Sequence, residues 1–135
     1  MLYLPDTNVW IHHLNNTSSI VKGRLAAHTP SQVVLCDVVK AELFYGAFKS
    51  ARRDANLALL ESLFPEFNSL PFDGKAARLS GEIRADLARK GTPIGPYDLQ
   101  IAAIALANGC TLVSHNTREF SRIAGLKLED WEVEK

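Results

Sequence analysis

Short runs rich in Val and Leu alternate along this chain with longer segments in which apolar residues recur every three or four positions, the pattern of buried strands joined by amphipathic helices. Residues 1–5 read as a strand, and Asp6 follows as the N-cap of a helix over residues 7–14. A second helix over residues 18–27 stops at Thr29-Pro30-Ser31, and residues 32–36 read as a second strand. The helix that carries Glu42 comes next, then an amphipathic helix over residues 52–63 that breaks at Pro65. Residues 69–72 supply a third strand. A long helix over residues 74–90 closes on Gly91, a common C-terminal glycine position. The following loop leads through Pro96 into a helix that carries Asp98 and ends at Asn108-Gly109. Residues 111–114 read as the fourth strand and residues 126–131 as a fifth at the edge. This alternation predicts an α/β fold with a mainly parallel sheet of four to five strands and helices on both faces. In such sheets a ligand binds beyond the carboxyl ends of the strands.

Length and charge narrow this picture. With 135 residues and no repeat, low-complexity tract or linker, the chain is expected to form one domain over residues 1–135. Lys plus Arg equals Asp plus Glu at 15 each, so no bulk positive charge draws nucleic acid, and an RNA substrate would need a local basic patch. The apolar run over residues 101–107 falls far short of the roughly 18 residues of a membrane span. No basic segment followed by an apolar stretch opens the chain. A soluble, cytoplasmic protein with no membrane partner is therefore expected. Cys36 and Cys110 stand apart in apolar, strand-like contexts and read as small core residues.

Four acidic or amide residues carry the candidate chemistry. Asp6 and Asn116 lie just past the first and fourth strands, Glu42 sits in the helix after the second, and Asp98 occupies the first turn of the helix leading into the fourth. All four can reach one crevice. Glu42 has Val38, Val39, Tyr45 and Gly46 three and four residues away, and Asp98 has Ile94, Gly95, Ile101 and Ala102. Both are expected on buried faces without a local cation. A carboxylate there costs several kcal/mol unless something charged pairs with it, and a divalent metal is the natural counter-ion. Taken singly, each residue also has a plain explanation: Asp6 as a helix cap, Asp98 as a dipole partner, Asn116 as a turn former. Glu82 with Arg78, and Asp86 with Lys90, read instead as ordinary surface ion pairs. His12, His13, His28 and His115 make no zinc spacing, and neither a Gly-x-Ser-x-Gly elbow nor a phosphate-binding glycine loop occurs. A phosphoacceptor domain would show an adjacent acidic pair where this chain has Pro5-Asp6-Thr7.

Four segments together carry a family resemblance: Asp6-Thr7-Asn8, Val38-Val39-Lys40-Ala41-Glu42-Leu43-Phe44-Tyr45-Gly46-Ala47, Ile94-Gly95-Pro96-Tyr97-Asp98-Leu99-Gln100-Ile101-Ala102-Ala103, and Leu112-Val113-Ser114-His115-Asn116-Thr117-Arg118-Glu119-Phe120. In this order the chain resembles PIN-domain proteins of the VapC toxin family, from the first strand to Trp131. The resemblance implies a three-layer α/β/α sandwich and a magnesium- or manganese-dependent endoribonuclease. It would be the toxic half of a type II toxin–antitoxin pair that cleaves RNA, with transfer RNA a reasonable substrate class, and so inhibits translation. Asp6, Glu42 and Asp98 match the family's metal-binding acids. Asn116 stands where a fourth acid is often found, which keeps an oxygen ligand and loses a charge. Thr7 and Asn8 would position water or a carboxylate, and His115 and Arg118 would touch phosphate, with a plain surface role as the alternative for each. A homodimer and a hetero-oligomer with a VapB-like antitoxin are implied. Phe44, Tyr45, Phe48, Leu57 and Leu60, rimmed by Lys49, Arg52 and Arg53, offer a core-packing surface whose remainder forms a groove for an amphipathic antitoxin helix. The competing reading of the same acids is a non-catalytic module whose crevice holds a cation or a basic peptide.

Overall fold

The computed structural model describes residues 1–133. Five strands of three residues each, β1 (Tyr3–Pro5), β2 (Val34–Cys36), β3 (Asn68–Leu70), β4 (Thr111–Val113) and β5 (Lys127–Glu129), alternate with helices α1 (Thr7–Asn15), α2 (Ser19–Ala26), α3 (Asp37–Lys49), α4 (Arg53–Leu63), α5 (Gly74–Arg89), α6 (Pro96–Ala107) and α7 (Thr117–Phe120). All pairings are parallel. β1, β4 and β5 form one hydrogen-bonded sheet in that order, and β2 and β3 form a second. A single parallel bridge between Tyr3 and Val33, with the Tyr3 N–H donating to the Gln32 carbonyl at 2.8 Å, joins them. The resulting order is β3-β2-β1-β4-β5. Right-handed crossovers in that order put α1 to α4 on one face and α5 to α7 on the other, which gives the expected α/β/α sandwich.

The order reverses between β1 and β4, because the chain leaves β1 toward β2 on one side and returns from β3 to β4 on the other. Such a switch point leaves a crevice at the strand carboxyl ends. The ends of β1 and β4 are locked in register there. Pro5 lies opposite Val113, and the Asp6 N–H donates to the Val113 carbonyl at 2.9 Å.

Burial follows from position in the layers. β2 and β4 are buried throughout, and α6, sandwiched beside α5 and β4, buries Ile101, Ala102, Ala103, Ile104 and Ala105 in succession. Over residues 101–105 the helix is apolar on all sides because it is covered there on all sides. Gly91 ends α5 with φ of 69°, a left-handed conformation that costs glycine least. Cys36 and Cys110 are buried free thiols, as small core residues should be.

Two elements differ from the sequence reading. Pro65 does not simply break the chain; it starts a turn of 3₁₀ helix over Phe64–Glu66, where its missing N–H is no loss. The four-residue α7 follows β4 where a turn was expected, because one helical turn is too short to show a 3.6-residue period. On α5, Asp86 pairs with Lys90 at 3.0 Å and with Arg89 at 3.6 Å. Among the described residues Glu82 makes no such pair. Nor is any helix among them long and apolar enough to cross a membrane.

The segment after β5 is tied back to the start of the chain. Trp131 is fully buried, stacks on the His28 ring with centroids 5.0 Å apart, lies 5.6 Å from Tyr3, and donates its indole N–H to Glu129 at 3.1 Å. Asp130 and Glu132 on either side meet His115 at 2.9 Å and His12 at 3.2 Å. Replacing Trp131 by Ala is expected to lower the unfolding free energy by about 3–5 kcal/mol, the range for a large buried aromatic. Urea denaturation checks this, and a loss under about 1 kcal/mol would mean that the segment is not part of the core.

Candidate active site

Asp6, Glu42 and Asp98 line one cleft of about 660 Å³, with Thr7 and Asn8 on its wall. Each acid is delivered by a different local device. Asp6 sits one residue past β1 and caps α1, its Oδ1 accepting the Val9 N–H at 3.1 Å. Its carboxylate is thereby fixed at the switch point. Glu42 projects from the middle of α3, and its Oε1 accepts the Thr7 hydroxyl proton at 2.7 Å. That bond ties α3 to the start of α1. Asp98 lies in the first turn of α6, which Pro96 opens, so the helix N-terminus faces its negative charge.

Depth in the cleft differs from the sequence expectation. Asp6 is the buried acid at 6% exposure, whereas Glu42 and Asp98 are half-buried. The apolar neighbours of Glu42 and Asp98 pack the flanks of their helices, and the carboxylates themselves turn into the opening. Burial raises the Asp6 pKa, the Ser114 hydroxyl and the Val9 N–H work against that, and the charges of Glu132 and Glu42 reinforce it. Asp98 is pushed up to about 6, first by burial and then by Asp6, Glu42 and Glu119. Among the described residues none of the three acids has a Lys, Arg or His within ion-pair distance. The cleft therefore holds uncompensated negative charge.

No three His, Cys, Asp or Glu side chains among the described residues converge closely enough to form a ready-made metal cluster. Magnesium does not need one. It takes one or two carboxylates and keeps water in its other positions, and an all-oxygen donor set with no competing cation fits that demand.

The remaining candidates separate. Asn116 is not on the cleft wall. Its backbone N–H donates to the Ser114 hydroxyl at 2.9 Å, and its carboxamide donates to Glu119 at 3.1 Å. Glu119, tied to Asn116 in this way, does not line the cleft either, but its charge is the smallest of the influences that raise Asp98, and the sequence reading passed it over. The helical spacing from Asn116 to Glu119 would have revealed it, had α7 been expected. His115 is exposed and held by Asp130, which raises its pKa. Arg118 is exposed on α7. Beside the acids runs an apolar groove between α1, α3 and α4, of about 210 Å³, walled by Ile11, Leu14, Leu43, Ala47, Leu59 and Leu60, with Glu42 at its mouth. Of the five residues expected to form such a groove, Leu60 alone lines it. Phe44 instead packs edge-on against Phe64 at 5.2 Å, Leu57 packs against the core, and Tyr45 and Phe48 face outward.

Known proteins resemble this chain in sequence and fold. The model of the PIN domain matches residues 3–126. The tRNA(fMet)-specific endonuclease VapC of Salmonella typhimurium is 41% identical over 129 residues, covering 96% of this chain and 97% of that protein. Ribonuclease VapC2 of Rickettsia felis is 34% identical over 133 residues, covering 98% and 99%. The crystal structure of DNA-bound VapBC from Salmonella typhimurium superposes with a TM-score of 0.90 at 41% identity, covering 97% of this chain and 99% of that one.

The charge balance of the cleft has a measurable consequence without metal. Because the Asp98 pKa in the folded state, about 6, lies above its ordinary 3.8, the folded form is penalised once the carboxyl ionises. The carboxyl disfavours folding least below about pH 4, and the penalty builds as pH rises from there to about 6, above which it is complete. In chelator-treated protein, Asp98→Asn is expected to raise stability at pH 7 by about 1 kcal/mol, a figure discounted for the half-exposed position. The gain should vanish near pH 4. Chemical denaturation at both pH values checks it, and a gain independent of pH would place its origin outside the carboxyl.

Proposed function

The chain belongs to the PIN-domain family and, within it, to the VapC ribonucleases, and from that membership we propose a metal-dependent endoribonuclease that hydrolyses RNA phosphodiester bonds. It acts as the toxin of a type II toxin–antitoxin pair, on transfer RNA as the substrate class, and inhibits translation. One PIN domain over residues 1–135 carries this activity, in the cytoplasm and as a homodimer. The observation behind the reading is the cleft at the β1/β4 switch point, where Asp6, Glu42 and Asp98 present carboxylates without a basic partner among the described residues.

Asp6, Glu42 and Asp98 would hold Mg²⁺ or Mn²⁺. The ion supplies Lewis acidity at the scissile phosphate and lowers the pKa of an attacking water. The chain's own contribution is to aim the carboxylates and to offset part of the cost of ionising them. The Val9 N–H and the Ser114 hydroxyl favour the charged form of Asp6 against burial, and the Thr7 hydroxyl fixes the rotamer of Glu42. Asn8 lies at the cleft wall within reach of solvent and suits a water-positioning role. His115 and Arg118 stand at the exposed edge beyond β4, where phosphate contact is open to them. Glu119 adds negative charge opposite Asp98, with Asn116 as the group that orients it. An acid at Glu119 restores the fourth charge that Asn116 lacks.

The apolar groove beside Glu42 suits an antitoxin helix of the VapB kind, laid with its apolar side on Leu14, Leu43 and Leu59. An Arg or Lys from that helix would reach the uncompensated carboxylates and displace the metal's charge. This partner is drawn from the relatives, one of which was solved as a DNA-bound VapBC complex.

Purified full-length protein should cleave RNA with Mg²⁺ or Mn²⁺ and stop when a chelator is added. Asp6→Asn, Glu42→Gln and Asp98→Asn should each lower cleavage by at least about a hundredfold while circular dichroism stays that of the wild type. Mg²⁺ at a hundred times its Kd should stabilise the wild type by about 2.7 kcal/mol and Asp6→Asn much less. Absence of cleavage under any metal would favour the non-catalytic module instead, and metal-independent cleavage would overturn the metal-site assignment. For the fourth acid, Glu119→Gln is expected to reduce cleavage about 10- to 100-fold, more than Asn116→Ala does. The reverse ranking in single-turnover assays would return the fourth position to Asn116.

A further inference from the structure

The acidic cleft poses a binding problem for the proposed substrate. RNA is a polyanion, the chain has no net charge, and the cleft is negative. Attraction must come from something other than bulk charge. The rim of the cleft carries two exposed aromatic rings, Tyr45 at 66% exposure and Tyr97 at 58%, and both line the same cavity as the acids. Tyr97 precedes Asp98 at the start of α6. Tyr45 stands one helical turn beyond Glu42 on α3, so the two rings approach the carboxylates from two different helices.

The stripe continues along α3. Phe48, 60% exposed, lies three residues past Tyr45, and Lys49 four residues past it, with its Nζ 5.6 Å from the centre of the Tyr45 ring. Residues one turn apart share a helix face. Beyond α3, exposed Arg52 precedes α4 and exposed Arg53 opens it, and both wall a shallow depression with Phe48 and Asp54. Arg53 pairs with Asp54 at 3.6 Å, and Arg52 makes no ion pair among the described residues. From the cleft outward, the surface thus changes from carboxylate to aromatic to basic.

We propose that Tyr45 and Tyr97 are base-stacking platforms that grip single-stranded RNA on either side of the cleft, and that Phe48, Lys49 and Arg52 continue its path along α3. Stacking is indifferent to charge and uses the face that every base has, which is what a protein of no net charge with an acidic cleft needs. The basic residues complement the phosphates that emerge from the cleft. A protein partner accounts less well for these rings, because Tyr45, Tyr97 and Phe48 all lie outside the apolar groove between α1, α3 and α4. This inference rests on the ribonuclease reading for the identity of the ligand.

Binding of a labelled, unstructured RNA oligonucleotide, measured by fluorescence anisotropy in chelator, tests it against an abasic oligonucleotide of equal length. Tyr45→Ala and Tyr97→Ala should each weaken RNA binding about tenfold and leave the weaker abasic binding unchanged. Tyr45→Phe and Tyr97→Phe should restore wild-type affinity. In cleavage assays the Ala variants should raise KM with little change in kcat. Unchanged RNA affinity, or equal loss on the abasic strand, overturns the proposal, as does a Tyr45→Ala protein that keeps RNA affinity and loses self-association or antitoxin binding. Variants with wild-type KM while cleavage persists remove the platforms alone. RNA bound with the expected Tyr dependence but never cut removes the ribonuclease reading and leaves the platforms standing.

Discussion

Three carboxylates held around one cleft, one of them buried and none with a basic partner among the described residues, are the arrangement on which the rest of this molecule depends. Burial and neighbouring like charges both raise a carboxyl pKa, and here Asp98 is pushed up to about 6, first by burial and then by Asp6 and Glu42. The fold must hold that unfavourable cluster with interactions elsewhere. It does so by mounting each acid on a rigid terminus or helix. The β1 end is locked to β4 by the Asp6 N–H and the Val113 carbonyl, α1 is capped by the same Asp6, and the buried run of α6 begins three residues after Asp98, at Ile101. Strain at the site is opposed by a core packed on both sides of the sheet.

Burial and function are coupled through this arrangement. The Val9 N–H and the Ser114 hydroxyl offset part of the cost of ionising Asp6, and Thr7 does the same work of orientation for Glu42. These neutral donors stabilise a carboxylate without cancelling its charge, as an Arg or Lys would. The negative potential therefore remains available to a cation from outside, whether a metal ion or a basic side chain of a partner. An acidic centre, an apolar groove opening at Glu42 and an aromatic rim running onto basic residues lie side by side on α1, α3 and α6, and their different chemistries suit different ligands.

Much of this was legible in the chain itself. The alternation of Val-rich runs with amphipathic segments determined the order of strands and helices, because continuously buried strands and one-sided helices leave different marks on sequence. Pro5-Asp6-Thr7 announced a strand end and a helix cap, Pro96 announced the start of α6, and Gly91 the end of α5. The isolation of Glu42 and Asp98 from any local cation, a property of neighbours three and four residues away, was sufficient to single them out. Where the structure departed, the elements were too short to carry a period: the single turn of α7, the 3₁₀ turn at Pro65, and strands of three residues.

Only tertiary structure decided how deep each acid lies and which other groups join it. Sequence placed Glu42 and Asp98 on apolar faces, yet Asp6 is the one that is buried, since depth depends on the closure of β1 against β4, over a hundred residues apart in sequence. The charge of Glu119 bears on Asp98 only because α7 packs against β5, a long-range juxtaposition that no local pattern encodes. The same holds for the groove. Which faces of α1, α3 and α4 remain uncovered is settled by how helices pack, so Phe44 turned inward onto Phe64 while Tyr45, its neighbour in sequence, was left at the rim of the cleft. Local sequence determines which way a side chain points from its own helix; the packing of distant segments determines what it meets there.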